Sequence, residues 1–232
     1  MKVLVIIPCY NEEESILMTV KSLEKEKVDY VVIDDGSTDH SLQILKENHL
    51  NYIHLDNNLG IGGAIQTGYK YAKKYDYDIA IQMDGDGQHD ASYISTLIEP
   101  IKKKKANLVI GSRFLEKDPN FKSTFFRRMG ISILSTLYKW ITGKRIKDMT
   151  SGFRAADKSV IELFAKEYPY EYPEPVTNLS ISHKKIVEVP VQMKKREHGK
   201  SSITPIKSMY YMLNVMIYFI IIIISRGDDY HA

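Results

Sequence analysis

The feature that most limits how this chain can fold is a regular alternation between residue 1 and about residue 111. Apolar runs of strand length trade places with amphipathic stretches of helix length. An apolar run without polar alternation fits a strand covered on both faces, and successive strands joined through helices pair in parallel. The pattern predicts strands at Lys2–Ile7, Tyr30–Ile33, Tyr52–Leu55, Ile79–Met83 and Leu108–Ile110. Asn11, Asp39 and Ser92 stand where polar side chains would cap the following helices. The expected class is α/β, a mostly parallel sheet flanked by helices.

Beyond about residue 120 the rhythm changes. A helix is expected at Ser123–Thr142 and another near Lys158–Lys166. A loop rich in proline and tyrosine, Tyr168 to Pro175, then leads to a further helix, the strand Ile186–Val191 and a glycine- and serine-containing loop, Lys194–Ser202. No repeat or linker interrupts this half, so residues 1–203 are read as one domain and 204–232 as an apolar tail.

Composition narrows the function classes. The single cysteine, Cys9, cannot form an internal disulfide, which fits a reducing compartment. A net charge of +3 without long basic arms gives no expectation of nucleic-acid binding. The run Lys102–Lys105 reads as a solvated helix end. The N-terminal apolar run is followed at once by polar residues and reads as a buried strand rather than a signal peptide.

In open α/β sheets ligands gather at the carboxyl ends of the strands, so the turns there are where chemistry is expected. Pro8-Cys9-Tyr10-Asn11-Glu12 follows the first strand, and Asp34-Asp35-Gly36-Ser37-Thr38-Asp39 the second. Asp84-Gly85-Asp86-Gly87-Gln88-His89 follows the fourth. Two carboxylates flanking a glycine suit a hard divalent cation, Mg²⁺ or Mn²⁺, that keeps positions open for diphosphate oxygens. A solvated acidic turn has the same spelling. Gly60-Ile61-Gly62-Gly63-Ala64 departs from the dinucleotide fingerprint at Ile65, and its glycines instead let backbone approach a nucleotide. No P-loop, G-x-S-x-G elbow or H-E-x-x-H run occurs. The histidines show no ligand spacing, and His89 and His198 are read as surface or supporting residues.

Taken in order, these motifs, together with Asn58, Gly111-Ser112-Arg113 and Thr150-Ser151-Gly152-Phe153-Arg154, closely resemble family 2 glycosyltransferases, and within them the dolichyl-phosphate mannose synthase and bacterial polyprenyl-phosphate sugar transferase group. The resemblance covers residues 2 to about 203 and implies a GT-A, Rossmann-like domain that moves a hexosyl unit from a UDP-, GDP- or dTDP-sugar to a membrane-linked acceptor with inversion. It further implies that Pro8, Tyr10, Glu12, Asp35, Gly62 and Asp84 frame the nucleotide, with Asp35 accepting from a base N–H. By the same likeness Asp84, Asp86 and Gln88 hold the metal, and Arg113, Arg128, Ser132, Arg196 and Lys200 meet donor or acceptor phosphates. Asp86, Arg113, Arg128 and Glu174 are the catalytic candidates. Glu174 becomes a base if the acceptor is a sugar hydroxyl, as on a growing polysaccharide; a lipid phosphate needs none. The proline-rich setting of Glu174 departs from the mannose synthases. A sugar nucleotidyltransferase is the remaining enzymatic alternative, though the N-terminal turn lacks the glycine-rich basic signature of that class.

The tail, Tyr210–Ser225, is almost uncharged and contains Ile220 to Ile224 in succession. Sixteen helical residues reach about 24 Å, short of the roughly 30 Å hydrocarbon core. The expectation is a helix lying in, or shallowly inserted into, the cytoplasmic membrane face, or docking on a small membrane-protein partner. A buried core helix or a homo-oligomer contact stays open as its alternative.

Overall fold

The computed structural model describes residues 1–116, 125–168, 173–194 and 214–221. Seven strands form one sheet: β1 (Val3–Cys9), β2 (Asp29–Asp34), β3 (Tyr52–His54), β4 (Ile79–Gln82), β5 (Leu108–Ser112), β6 (Arg154–Asp157) and β7 (Ile186–Pro190), in the order β3-β2-β1-β4-β6-β5-β7. The helices are α1 (Ile16–Leu23), α2 (Ser41–Glu47), α3 (Gly60–Lys74), α4 (Ile94–Lys102), α5 (Phe125–Thr142), α6 (Lys158–Lys166) and α7 (Pro173–Ser180). Strand β6 pairs antiparallel with both β4 and β5, while the other pairings are parallel.

Alternation along β1 explains the layering. Leu4 and Ile6 enter one core with Val31, Ile65, Tyr69, Leu134 and Phe164, whereas Val5, Ile7 and Cys9 enter the other with Ile16, Val20, Leu45 and Leu97. Helices α3, α5, α6 and α7 therefore cover one face of the sheet, and α1, α2 and α4 the other. Each fully buried isoleucine contributes about 1.5–3 kcal/mol over its exposed state. Gly68 allows α3 to lie close to β1: a Cβ there would stand 2.2 Å from Ile6 Cγ2.

Several expectations shift. All five early strands form within a residue or two of their expected ends, as do α5, α6 and the strand expected at Ile186–Val191. Strand β6 has no sequence forecast, since Arg-Ala-Ala-Asp lacks an apolar run. Among the expected caps, Asn11 instead bridges two loops, its Oδ1 accepting from the Thr38 and Asp39 amides at 2.8 and 3.3 Å. Asp39 does accept from the Ser41 amide at the start of α2, at 2.9 Å. Asp90, not Ser92, caps the turn before α4, accepting from the Ser92 amide.

The chain is helical again at 214–221. Val215 and Phe219 are buried in the same core as Leu134 and Tyr138, while Met216, Ile217, Tyr218, Ile220 and Ile221 are exposed. No helix among the described residues is long and apolar enough to cross a membrane.

Candidate functional site

Because β6 runs against its neighbours, its amino end lies at the same sheet edge as the carboxyl ends of β4 and β5. That brings Ser151-Gly152-Phe153 beside the acidic turn after β4. A Cβ on Gly152 would come within 3.1 Å of Asp84 Oδ1 and 3.2 Å of Gln82 Nε2, so any larger residue would push these side chains back by a few tenths of an ångström. Ser151 Oγ donates to the Gly111 carbonyl at 2.6 Å, and the Gly111 amide to the Phe153 carbonyl at 2.8 Å, fastening the junction.

The acidic turn is held from several sides. Thr19 Oγ1 donates to the Gly85 carbonyl at 3.0 Å, and the Gln88 amide to Asp86 Oδ1 at 3.0 Å. Gly85 sits where a Cβ would fall 2.9 Å from the Pro8 carbonyl oxygen, and Gly87 takes φ +75°, in the left-handed region. Burial pushes the His89 imidazole down to about 4, so it is neutral at physiological pH. Asp84, Asp86 and Gln88 offer oxygen donors from one turn, and no cluster of three or more His, Cys, Asp or Glu with metal-binding geometry exists among the described residues. Such a short, all-oxygen set fits Mg²⁺ or Mn²⁺, which take one or two carboxylates and complete their shell with water and phosphate oxygens.

Beneath the turn lies a buried polar layer. Gln82, from the end of β4, donates to Glu174 Oε1 at 3.4 Å and accepts from the Tyr168 hydroxyl at 3.5 Å. Burial raises the Glu174 carboxyl, with Arg154 pulling it the other way. Arg154 is fully buried; its guanidinium donates to the Ser151 carbonyl at 2.7 and 3.2 Å and to Thr177 Oγ1 at 3.0 Å. Arg113 is also buried and makes a bidentate pair with Asp148, at 2.7 and 2.6 Å, plus a bond to Thr150 Oγ1. Asp148, Asp84 and Glu174 all favour its charged form, although burial opposes it. Its donor fork is thus engaged within the protein, which fixes the guanidinium in place.

The nucleotide-side candidates gather at the ends of β1 and β2. Asp35 is buried, its amide donates to the Cys9 carbonyl at 2.8 Å, and its Oδ1 accepts from the Leu59 amide at the start of α3 at 2.8 Å. Burial raises its carboxyl. The carboxylate therefore organises the start of the helix that carries Gly62. Glu12 accepts from Ser15 Oγ at 2.7 Å, and Tyr10 is exposed. Cys9 is a buried free thiol, pushed up to about 12 by burial, as befits a small filler.

Arg128 and Ser132 share one face of α5 and line an open groove of about 700 Å³ with Met129, Ile133, Thr136 and Leu137. Arg196 and Lys200 lie outside the described residues. Sequence reading missed Gln82, Tyr168 and the His54–Asp34 pair, 2.6 Å apart behind the Asp35 turn. Gln82 carried a signal, a polar residue inside an otherwise apolar strand; His54 carried none.

Residues 4–164 match the profile of Glycosyl transferase family 2. The undecaprenyl-phosphate mannosyltransferase of Micrococcus luteus is 31% identical, over 88% of this chain and 88% of its own. The UDP-N-acetylglucosamine–dolichyl-phosphate N-acetylglucosaminyltransferase of Methanococcus voltae is 29% identical, over 96% of this chain and 95% of its own. In fold, the chain is similar to glucosyl-3-phosphoglycerate synthase of Mycobacterium tuberculosis crystallised with Mn²⁺, UDP and phosphoglyceric acid, with a TM-score of 0.68 and 17% identity over 94% of this chain and 77% of that one. The profile spans well over half of the chain, so this protein is a glycosyltransferase belonging to glycosyl transferase family 2.

Proposed function

We propose that the protein transfers a hexosyl unit from a UDP-, GDP- or dTDP-sugar to a polyprenyl phosphate, inverting the anomeric carbon, at the cytoplasmic face of a membrane. The observation that carries the reading is the acidic turn at the carboxyl end of β4, where Asp84 lies against Gly152 and the Gln88 amide holds Asp86. Asp84, Asp86 and Gln88 would hold Mg²⁺ or Mn²⁺, which neutralises charge on a departing diphosphate. Asp35 and Gly62 would seat the nucleoside, with Pro8, Tyr10 and Glu12 around it. Arg113, fixed by Asp148, and Arg128 with Ser132 would meet phosphate oxygens, a role that bidentate guanidinium chemistry suits. A phosphate acceptor is already anionic and asks no side chain for a base. The two relatives described above, both named for lipid-phosphate acceptors, support this choice.

Exposed apolar residues support membrane association. On α5 they are Met129, Ile133, Ile141 and Trp140, the last 88% exposed, and on 214–221 they are Met216, Ile217, Tyr218, Ile220 and Ile221. Helices that are apolar on an outer face yet anchored to the domain on the inner one support a peripheral or shallowly inserted position. A small membrane-protein partner or a second copy would cover the same face.

One observation favours a second acceptor class. Glu174 is close enough to Gln82 to bond with it at the ligand edge, and its raised carboxyl suits a general base toward a sugar hydroxyl. Purified protein with membranes, Mn²⁺ and labelled nucleotide sugars separates the two. Label entering the organic phase, with Glu174→Gln retaining transfer, supports the phosphate acceptor. Label appearing only in polymer, and lost in Glu174→Gln, replaces it with the hydroxyl reading.

A further inference from the structure

His89 lies next to the metal-binding turn, but nothing above gives it a task there. It is 4% exposed, and its ring stacks on Phe153, centroids 4.7 Å apart and planes 13° from parallel. Both ring nitrogens face one residue. Nδ1 lies 3.0 Å from the Asp84 backbone nitrogen, and Nε2 lies 3.7 Å from Asp84 Oδ2. An amide N–H can only donate, so Nδ1 must be the bare acceptor and the ring proton must sit on Nε2, directed toward the Asp84 carboxylate. The contact on that side is electrostatic rather than a hydrogen bond. The backbone of His89 is fixed as well, through a β-bridge with Met193 and a bond from the Lys194 amide to the Gln88 carbonyl at 2.8 Å.

The geometry points to His89 as a positioning residue. Clamped between Phe153 and the Met193 bridge, it sets both the backbone and the carboxylate of Asp84 through a single locked tautomer, so that the turn is preshaped for the cation. The physical reason is the short ligand set. With two carboxylates and one amide, an error in aiming either acid is not averaged over other protein ligands, and residues behind metal ligands commonly change affinity about 10- to 100-fold when altered. Phe153, in the Ser151-Gly152-Phe153 junction, thereby acts on the metal turn through His89 as well as through the neighbouring glycine.

This inference rests on the metal reading, and the experiment separates the two. Mn²⁺ binding to the full chain, with UDP present, is followed by electron paramagnetic resonance for the parent protein, His89→Phe and His89→Asn. The phenylalanine keeps the stack and loses both nitrogens; the asparagine keeps an acceptor near the position of Nδ1. The expected result is Mn²⁺ affinity lowered at least about 10-fold in His89→Phe and recovered to within about 3-fold of the parent in His89→Asn. Parent-like binding by His89→Phe, or equal losses in both variants, overturns the positioning role alone. A parent chain that takes up no Mn²⁺ overturns the metal reading and this inference with it. Should His89→Phe fail to fold, a two-bond ¹H–¹⁵N spectrum of the histidine-labelled parent still decides: the Nε2–H tautomer is required, and the Nδ1–H tautomer refutes the assignment.

Discussion

At the scale of single residues, the site depends on close approach. Gly152 has no positive φ to defend, yet an added methyl group would press on Asp84 and Gln82 at once. A misplacement of about 1 Å at a reacting centre can cost about 100-fold, so under the metal role proposed for Asp84 a shift of a few tenths in Gly152→Ala should lower kcat about 10-fold with little change in melting temperature. Unchanged kcat would mean that the junction tolerates the methyl. Glu174 invites a different test. Its carboxyl is held above its ordinary value of 4.5 by burial, so the folded chain keeps a proton that the unfolded chain releases. Stability is therefore lost as pH rises from the ordinary value through the raised one. Glu174→Gln mimics the protonated state and should melt higher than the parent at neutral pH, the gap closing in acid below the ordinary value. A gap that widens in acid would contradict the sign. What sequence revealed at this scale was the set of loop residues, because Asp, Gly and Asn at strand ends follow local rules. It did not reveal Arg113 and Arg154 as buried structural donors, since their partners Asp148 and Thr177 lie 35 and 23 residues away.

At the scale of elements, most of the parallel half was legible because β1, β2, β4 and β5 carry apolar runs that the sheet buries on both faces, while the edge strand β3 is only half-buried. Strand β6 was not, because its two alanines and the charges at its ends acquire strand character only from the neighbours they join. Helix α3 shows packing overruling propensity. Alanine is favoured over glycine in a helix by about 1 kcal/mol. At position 68, however, its Cβ would run into the buried, β-branched Ile6, and overpacking of that kind costs about 1–3 kcal/mol. Gly68→Ala should therefore be destabilising on balance in denaturant unfolding; a stabilised variant would show that α3 can lift from β1 without loss.

For the whole molecule, the tail is where expectation and structure part most clearly. Its composition spoke of lipid, but Val215 and Phe219 belong to the protein core. Residues 214–221 therefore have one face in the core and one exposed apolar face. Removing the tail would damage the fold and blur any test of localisation. Replacing Ile217, Ile220 and Ile221 with serine leaves the buried pair in place. That variant should move from the membrane pellet to the supernatant while melting within a few degrees of the parent; continued sedimentation with membranes would discount this face as the anchor.

The antiparallel strand also fixes an order of events as the chain emerges from the ribosome. β5 ends at Ser112, but its link to β4 is β6, which begins only at Arg154. Translation therefore delivers β5 well ahead of its partner, with the open edge of β4 awaiting the same late arrival, and a domain that folds as a unit must wait for both. The sheet, and with it the junction beside the acidic turn, stays unfinished until the Thr150–Arg154 segment has been made.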